Sequence, residues 1–182
     1  MAFSASASRT SERAVDSALG RASRTASPPP HPHATLILDK SSARHDLNIN
    51  SGTGDLNLSK VEGAMQIKAF EGNAKLDLIG GTISATFGSG NVDVKINQRS
   101  WRGRQAVFQL ASGTLNVQFP NNMNAEIDAS VLRNGKIENS LLSLKPRDRS
   151  KFSDTLMLAR AGTGGALLSF TVGDGTLKMS NW

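Results

Sequence analysis

The stretch closest to a metal-binding motif is Gly52-Thr53-Gly54-Asp55-Leu56. The calcium-binding nonapeptide repeats G-G-x-G-x-D, so that successive turns offer several carboxylates to each hard cation. Here the acid comes one position early, and the matching positions of the next copies hold Ala64, Asn73, Thr82 and Asn91. A single carboxylate per site does not hold a dication, so no metal is expected. Glycoside cleavage would need acids converging in one groove. The candidates, Asp77 with Asp93 and Glu126 with Asp128, stand at alternating positions that decorate an outer strand face. With no cysteine, no tyrosine and three histidines in 182 residues, thiolate metal sites and cysteine nucleophiles are excluded, and acid–base groups are scarce. No Walker loop, H-x-x-x-H pair, nucleophile elbow or dinucleotide fingerprint occurs, so no cofactor and no catalytic residue is expected.

The polar chemistry that does stand out is cationic. Residues 34–182 carry 17 Lys and Arg against 13 Asp and Glu, a net +4. Arg99, Arg102 and Arg104 supply +3, and Lys145, Arg147, Arg149 and Lys151 less Asp148 supply another +3. Trp101 lies among the first group and offers a flat face for stacking, or an apolar side chain to tuck into the fold. Together these eight residues, Trp101 included, are the candidate patch for an anionic partner such as a lipid surface or an acidic envelope polymer. No nucleic-acid motif accompanies the charge, so nucleic acid is not the expected partner. Both basic groups are expected in loops bulging from the fold; if they lie on one side of it, they could meet within ~15 Å, because stacked strands repeat at ~4.8 Å.

What positions them is a repeat. Glycines fall at 54, 63, 72, 81 and 90, every nine residues. Apolar residues follow two and four positions later: Leu56 and Leu58, Met65 and Ile67, Ala74 and Leu76, Ile83 and Ala85, Val92 and Val94. The residues between them, Asn57, Gln66, Lys75, Ser84 and Asp93, are polar. Period-two alternation marks a strand with one dry face, and glycine is the cheapest residue for the turn that ends it. Gly113 and Gly175 open further copies, and His45 takes the corner slot nine residues before Gly54. Asp55, Asn73 and Asn91, directly after their glycines, are expected to bond their own turn's backbone. One strand–turn unit cannot bury its apolar face alone, whereas stacked units can. The chain therefore reads as an all-β, single-chain β-solenoid of about seven coils over residues 34–182, each coil pairing with the next along the sequence. The alternative is an antiparallel β-sandwich, which also gives short strands at 8–12-residue spacing.

Residues 1–33 read as a disordered Ser/Ala/Arg-rich tail closed by Pro28-Pro29-Pro30. Arg9, Arg13, Arg21 and Arg24 among serines suit an organellar transit segment, against which Glu12 and Asp16 count. Neither a secretory h-region nor an apolar run of ~18 residues is present, so a full-length chain of this sequence is expected in the cytoplasm or an organelle. The tail and Lys178–Trp182 are the expected caps for the solenoid's open edges.

Gly88-Ser89-Gly90-Asn91-Val92-Asp93-Val94, the central Phe119–Ser130 and the closing Gly162–Met179 resemble the bacterial adhesin-like domains of unknown function, a toastrack-like β-solenoid family of cell-envelope proteins. The resemblance implies a non-enzymatic interaction surface, protein or envelope-polymer partners and a place at the cell envelope. The second expectation is a self-assembling scaffold of the bactofilin type, which also joins a proline-containing tail to a small β-solenoid. A carbohydrate-active β-helix enzyme stands third.

Overall fold

The computed structural model describes residues 2–7, 34–39, 46–147 and 151–182. They form ten strands and no helix: β1 (Ala2–Ala7), β2 (Ala34–Asp39), β3 (Asp46–Glu71), β4 (Ala74–Ile96), β5 (Gln105–Phe119), β6 (Ala125–Val131), β7 (Gly135–Asn139), β8 (Leu144–Pro146), β9 (Leu156–Ala161) and β10 (Leu167–Asn181). β3 and β4 run unbroken through two glycine corners each, because glycine turns the chain without interrupting the ladder. The apolar positions of the repeat all point inward, and Leu56, Ile67, Leu76, Ile83, Val94, Leu115 and Leu177 belong to one buried cluster. This is the β-solenoid; the antiparallel sandwich is excluded by parallel pairing throughout β1–β7 and β10.

The corner glycines stack in two columns, and that stacking accounts for the nine-residue rhythm of Gly54 to Gly90. Gly72, Gly90, Gly113, Gly175 and Gly135 each sit at φ between 130° and 145°. A Cβ on any of them would lie 1.7–2.0 Å from the carbonyl oxygen of the glycine one coil away. In the second column Gly81 abuts Gly63 and Gly103 abuts Gly81 in the same way. Two corners per coil, nine residues apart, place Gly72 on Gly54, Gly90 on Gly72 and Gly81 on Gly63, each eighteen residues on; inserts and the strand order lengthen the later intervals. Gly103 is a corner that the rhythm does not mark, since the insert around Trp101 moves it away from position 99.

The coil order departs from the sequence order. Coils were expected to stack consecutively, yet the spatial order is β5, β10, β6: the C-terminal coil lies between two coils that precede it in sequence. Leu167–Asn181 pairs in register with Gln105–Phe119 on one side, and with Glu126–Val131 and Gly135–Asn139 on the other. Lys178–Trp182 is therefore not a cap but part of an internal coil. The end beyond β6 is closed instead by β9, antiparallel to β6, and by β8, antiparallel to β9. Phe170 anchors the inserted coil, stacked on Phe108 at 5.3 Å between centroids and edge-on to Phe119 at 5.9 Å.

β1 lies alongside Asp46–Ser51 and β2 alongside Gly54–Ser59. Ala2–Ala7 thus forms a strand within the stretch read as a tail. Residues 8–33 of that tail, including the transit-type arginines, and His45 lie outside the described residues. No helix among the described residues is long and apolar enough to cross a membrane.

One side chain on the outer face carries a pH dependence. Half-buried Asp77 accepts from Asn97 Nδ2, and burial raises its carboxyl above the ordinary value of 3.8 against the pull of Lys95 and Lys60. A raised folded-state value means that the ionised form costs stability. The stabilising, protonated form holds below pH 3.8 and is lost as pH rises through the folded value. Asp77→Asn is therefore expected to match wild type in urea unfolding at pH 3 and to exceed it at pH 7. Partial exposure limits the gain to below about 1 kcal/mol. A variant less stable at pH 7 than at pH 3, relative to wild type, contradicts this.

Candidate functional site: the basic corner and the acidic ladder

Arg99, Arg102 and Arg104 sit on the insert between β4 and β5, at the corner of the second glycine column. All three are exposed, and none has an ion-pair partner among the described residues. Backbone bonds hold the insert in place. Arg99 O accepts from Asn124 N at 2.6 Å, Arg102 O accepts from Gly81 N, and Arg104 O accepts from Leu167 N at 3.3 Å. Trp101 pins it from within. It is 6% exposed, and its Nε1 donates to Gly81 O at 2.8 Å. The indole is thus core rather than a stacking surface, because its apolar body fills the corner and its one donor finds a carbonyl there.

The second basic group does not form a bulging loop. Lys145 stands in β8, opposite Arg160 of β9, and Arg160 stands opposite Glu126. Glu126 is in turn aligned with Leu167, and Leu167 with Gln105. Lys145 therefore shares the corner row of the Arg104–Gln105 segment at four strand spacings, about 19 Å rather than about 15 Å. Lys151 lies at the other end of the β8–β9 hairpin, since β9 runs back from Leu156 to Ala161. Lys145 is level with Arg160, four positions or about 14 Å along β9 from its Leu156 end, which Lys151 precedes in the chain. Arg149 lies outside the described residues.

Arg147 has a structural role. Its side chain, 17% exposed, meets Glu126 Oε2 at 3.2 Å and Asp128 Oδ1 at 2.8 Å, while Arg160 meets Glu126 Oε1 at 3.2 Å. Asp128 Oδ1 is shielded from solvent and faces its cation off the line of a hydrogen bond. The acids flagged as a possible glycosidase pair are held by two guanidiniums in a cluster that ties the cap strands to β6. This cluster separates the basic insert from Lys145 with charge that is already neutralised. Sequence alone gave no pointer to it, because the antiparallel return of β9 creates the pairing.

The other outer face carries a ladder along the coil axis. Asn73 N and Nδ2 both donate to Asp55 Oδ1, at 3.1 and 3.2 Å, and Asn91 Nδ2 donates to Asn73 Oδ1 at 3.4 Å. These side chains bond the neighbouring coil, not their own turn: in-register coils lie within reach at ~4.8 Å. Asn116 Nδ2 to Asp93 Oδ1 at 2.8 Å extends the pattern, and Asn134 N and Nδ2 to Asp174 Oδ1 repeat it near the far end. Asp55, Asn57, Asn73, Lys75, Asn91 and Asp93 line a shallow cleft of about 430 Å³. On the same face Lys136 donates to Glu138 at 2.8 Å, which holds Glu138 below and Lys136 above its ordinary range. No group of three or more His, Cys, Asp or Glu residues placed to hold a metal occurs among the described residues.

No curated protein and no solved structure matches this chain significantly. A family model described as Toastrack DUF4097 matches residues 34–179, the span that the glycine columns and the inserted coil organise. This chain belongs to the Toastrack DUF4097 family of β-solenoid domains.

Proposed function

We propose that this domain is a non-catalytic interaction module of the adhesin-like or scaffold kind, and that its basic corner docks on an anionic surface at the cell envelope. The observation that carries the reading is the contrast in charge pairing. Arg99, Arg102 and Arg104 stand exposed, with no ion-pair partner among the described residues, on a Trp101-pinned insert, whereas Glu126 and Asp128 nearby are bound to Arg147 and Arg160. Lys145 stands in the same row, beyond that neutralised cluster. Cations held at the rim of a stiff frame keep their desolvation and ordering costs low, which favours a flat polyanionic partner. The antiparallel β8–β9 cap covers one end of the stack, which favours this reading over end-to-end assembly of the bactofilin kind.

The test is co-sedimentation with anionic and neutral vesicles, using wild type and the Arg99→Ser, Arg102→Ser, Arg104→Ser triple variant. Each basic residue near an anionic surface contributes about 1 kcal/mol, so the triple change is expected to weaken partitioning roughly a hundredfold. Salt should weaken wild-type binding steeply, because exposed charges are screened within ~8 Å at physiological ionic strength. Equal binding to both vesicle types, or an unchanged triple variant, rules the reading out.

A further inference from the structure

The position of β10 has a consequence for how copies of this chain meet. β5 and β6 are joined by only Pro120–Asn124, yet they stand two strand spacings apart, about 10 Å, with β10 filling the gap. Asn124 still touches the earlier coil, through its bridge to Ser100 and its bond to Arg99 O. The slot opens one residue later, where Glu126 N donates to Ala166 O and Leu167 N donates to Arg104 O. Both walls of the slot are complete in sequence before its occupant, and both are parallel edges in the same register.

The occupant, β10, has a distinct junction at each end. It ends in a latch. Trp182 N donates to Phe119 O and Trp182 Nε1 to Ile96 O, each at 3.1 Å, and Lys95 Nζ stands 4.4 Å from the ring centroid. It begins at a hinge, Gly162-Thr163-Gly164-Gly165, whose glycines take φ of 56°, 82° and 147°. Thr163 N donates to Asn124 Oδ1 at 3.0 Å and Gly164 N to Ala161 O at 3.0 Å, which folds the hinge back on its own coil.

We infer that two copies of this chain exchange their C-terminal coils, the β10 of each filling the slot between β5 and β6 of the other. The inference rests on the strand order and not on the anionic-surface reading. Every contact of β10 is reproduced in the exchanged pair, so the balance is set by concentration and by the hinge alone. A short linker keeps the chain's own β10 at an effective concentration in the millimolar range, which copies of the chain must approach. Straightening the hinge frees the left-handed glycines, so a residue that resists φ of 82° favours exchange. At Gly164 an added Cβ meets nothing closer than Arg160 Nε at 3.4 Å, so strain rather than collision acts there.

The chain has no cysteine, which makes the test clean. Thr176 is in register with Thr114, a neighbour separation within disulfide range. A Thr114→Cys, Thr176→Cys chain should close internally at low concentration, which checks the register. Thr114→Cys chains and Thr176→Cys chains, unfolded together, refolded at about 1 mM and oxidised, should give a disulfide heterodimer. Each exchanged pair straightens two hinges, so adding Gly164→Ala to both should lower the concentration for half-dimer about thirtyfold or more. If either single variant fails to refold, Asn116→Cys with Lys178→Cys offers the next outward pair in the same register. No heterodimer at 1 mM, a double-cysteine chain that does not close, or cross-linking as frequent in each single variant alone overturns the inference.

Discussion

Gly90→Ala is expected to lose about 3–5 kcal/mol of stability, a large share of the 5–15 kcal/mol that holds a domain of this size together. Gly90 sits at φ 134° in the middle of its column, and a Cβ there would stand 1.8 Å from Gly72 O. The unusual φ alone costs about 1–3 kcal/mol in a residue with a side chain. The remainder comes from pushing two coils apart, which stretches the ladder on both sides. Gly52 is the control: nothing lies within 4 Å of its missing Cβ, and its φ is not left-handed. Gly52→Ala is expected to be neutral or to stabilise by up to about 1 kcal/mol through the unfolded chain. Urea unfolding of both variants measures the difference. A Gly90→Ala loss no larger than that of Gly52→Ala contradicts the column.

Phe170→Ala is expected to cost about 3–5 kcal/mol, the range for a fully buried aromatic whose cavity cannot collapse. Phe170 is 0% exposed and touches Phe108 on β5 and Phe119 at the end of the same strand. Because β10 lies between β5 and β6, loosening it exposes two walls rather than one edge. The variant should therefore also increase dye binding to apolar surface and protease cleavage after residue 160, well before global unfolding. Phe70→Ala, at a site 71% exposed on β3, is expected to change stability by less than about 0.5 kcal/mol. Equal losses at the two phenylalanines contradict the inserted-coil packing.

Local pattern determined a great deal of this protein. The alternation around Leu56, Ile67, Leu76, Ile83 and Val92 decided which side chains are inside, because a strand's side chains change face at every residue. The nine-residue glycines decided where the chain turns, because only glycine fits where coils touch backbone to backbone. The basic character of Arg99, Arg102 and Arg104, and their place outside the repeat, were legible for the same reason. Tertiary structure decided which coil lies beside which. Parallel edges offer the same backbone donors and acceptors to any strand, so nothing local distinguishes β10 from β6 as the neighbour of β5. From that order follow the hinge at Gly162–Gly165, the antiparallel β8–β9 cap and the Arg147–Glu126–Asp128 cluster, each made by residues far apart in the chain. Trp101 and Gly103 belong with these: an insert hides the corner from the rhythm, and only the stacked coil beneath supplies Gly81 O to bond the indole and to meet Gly103.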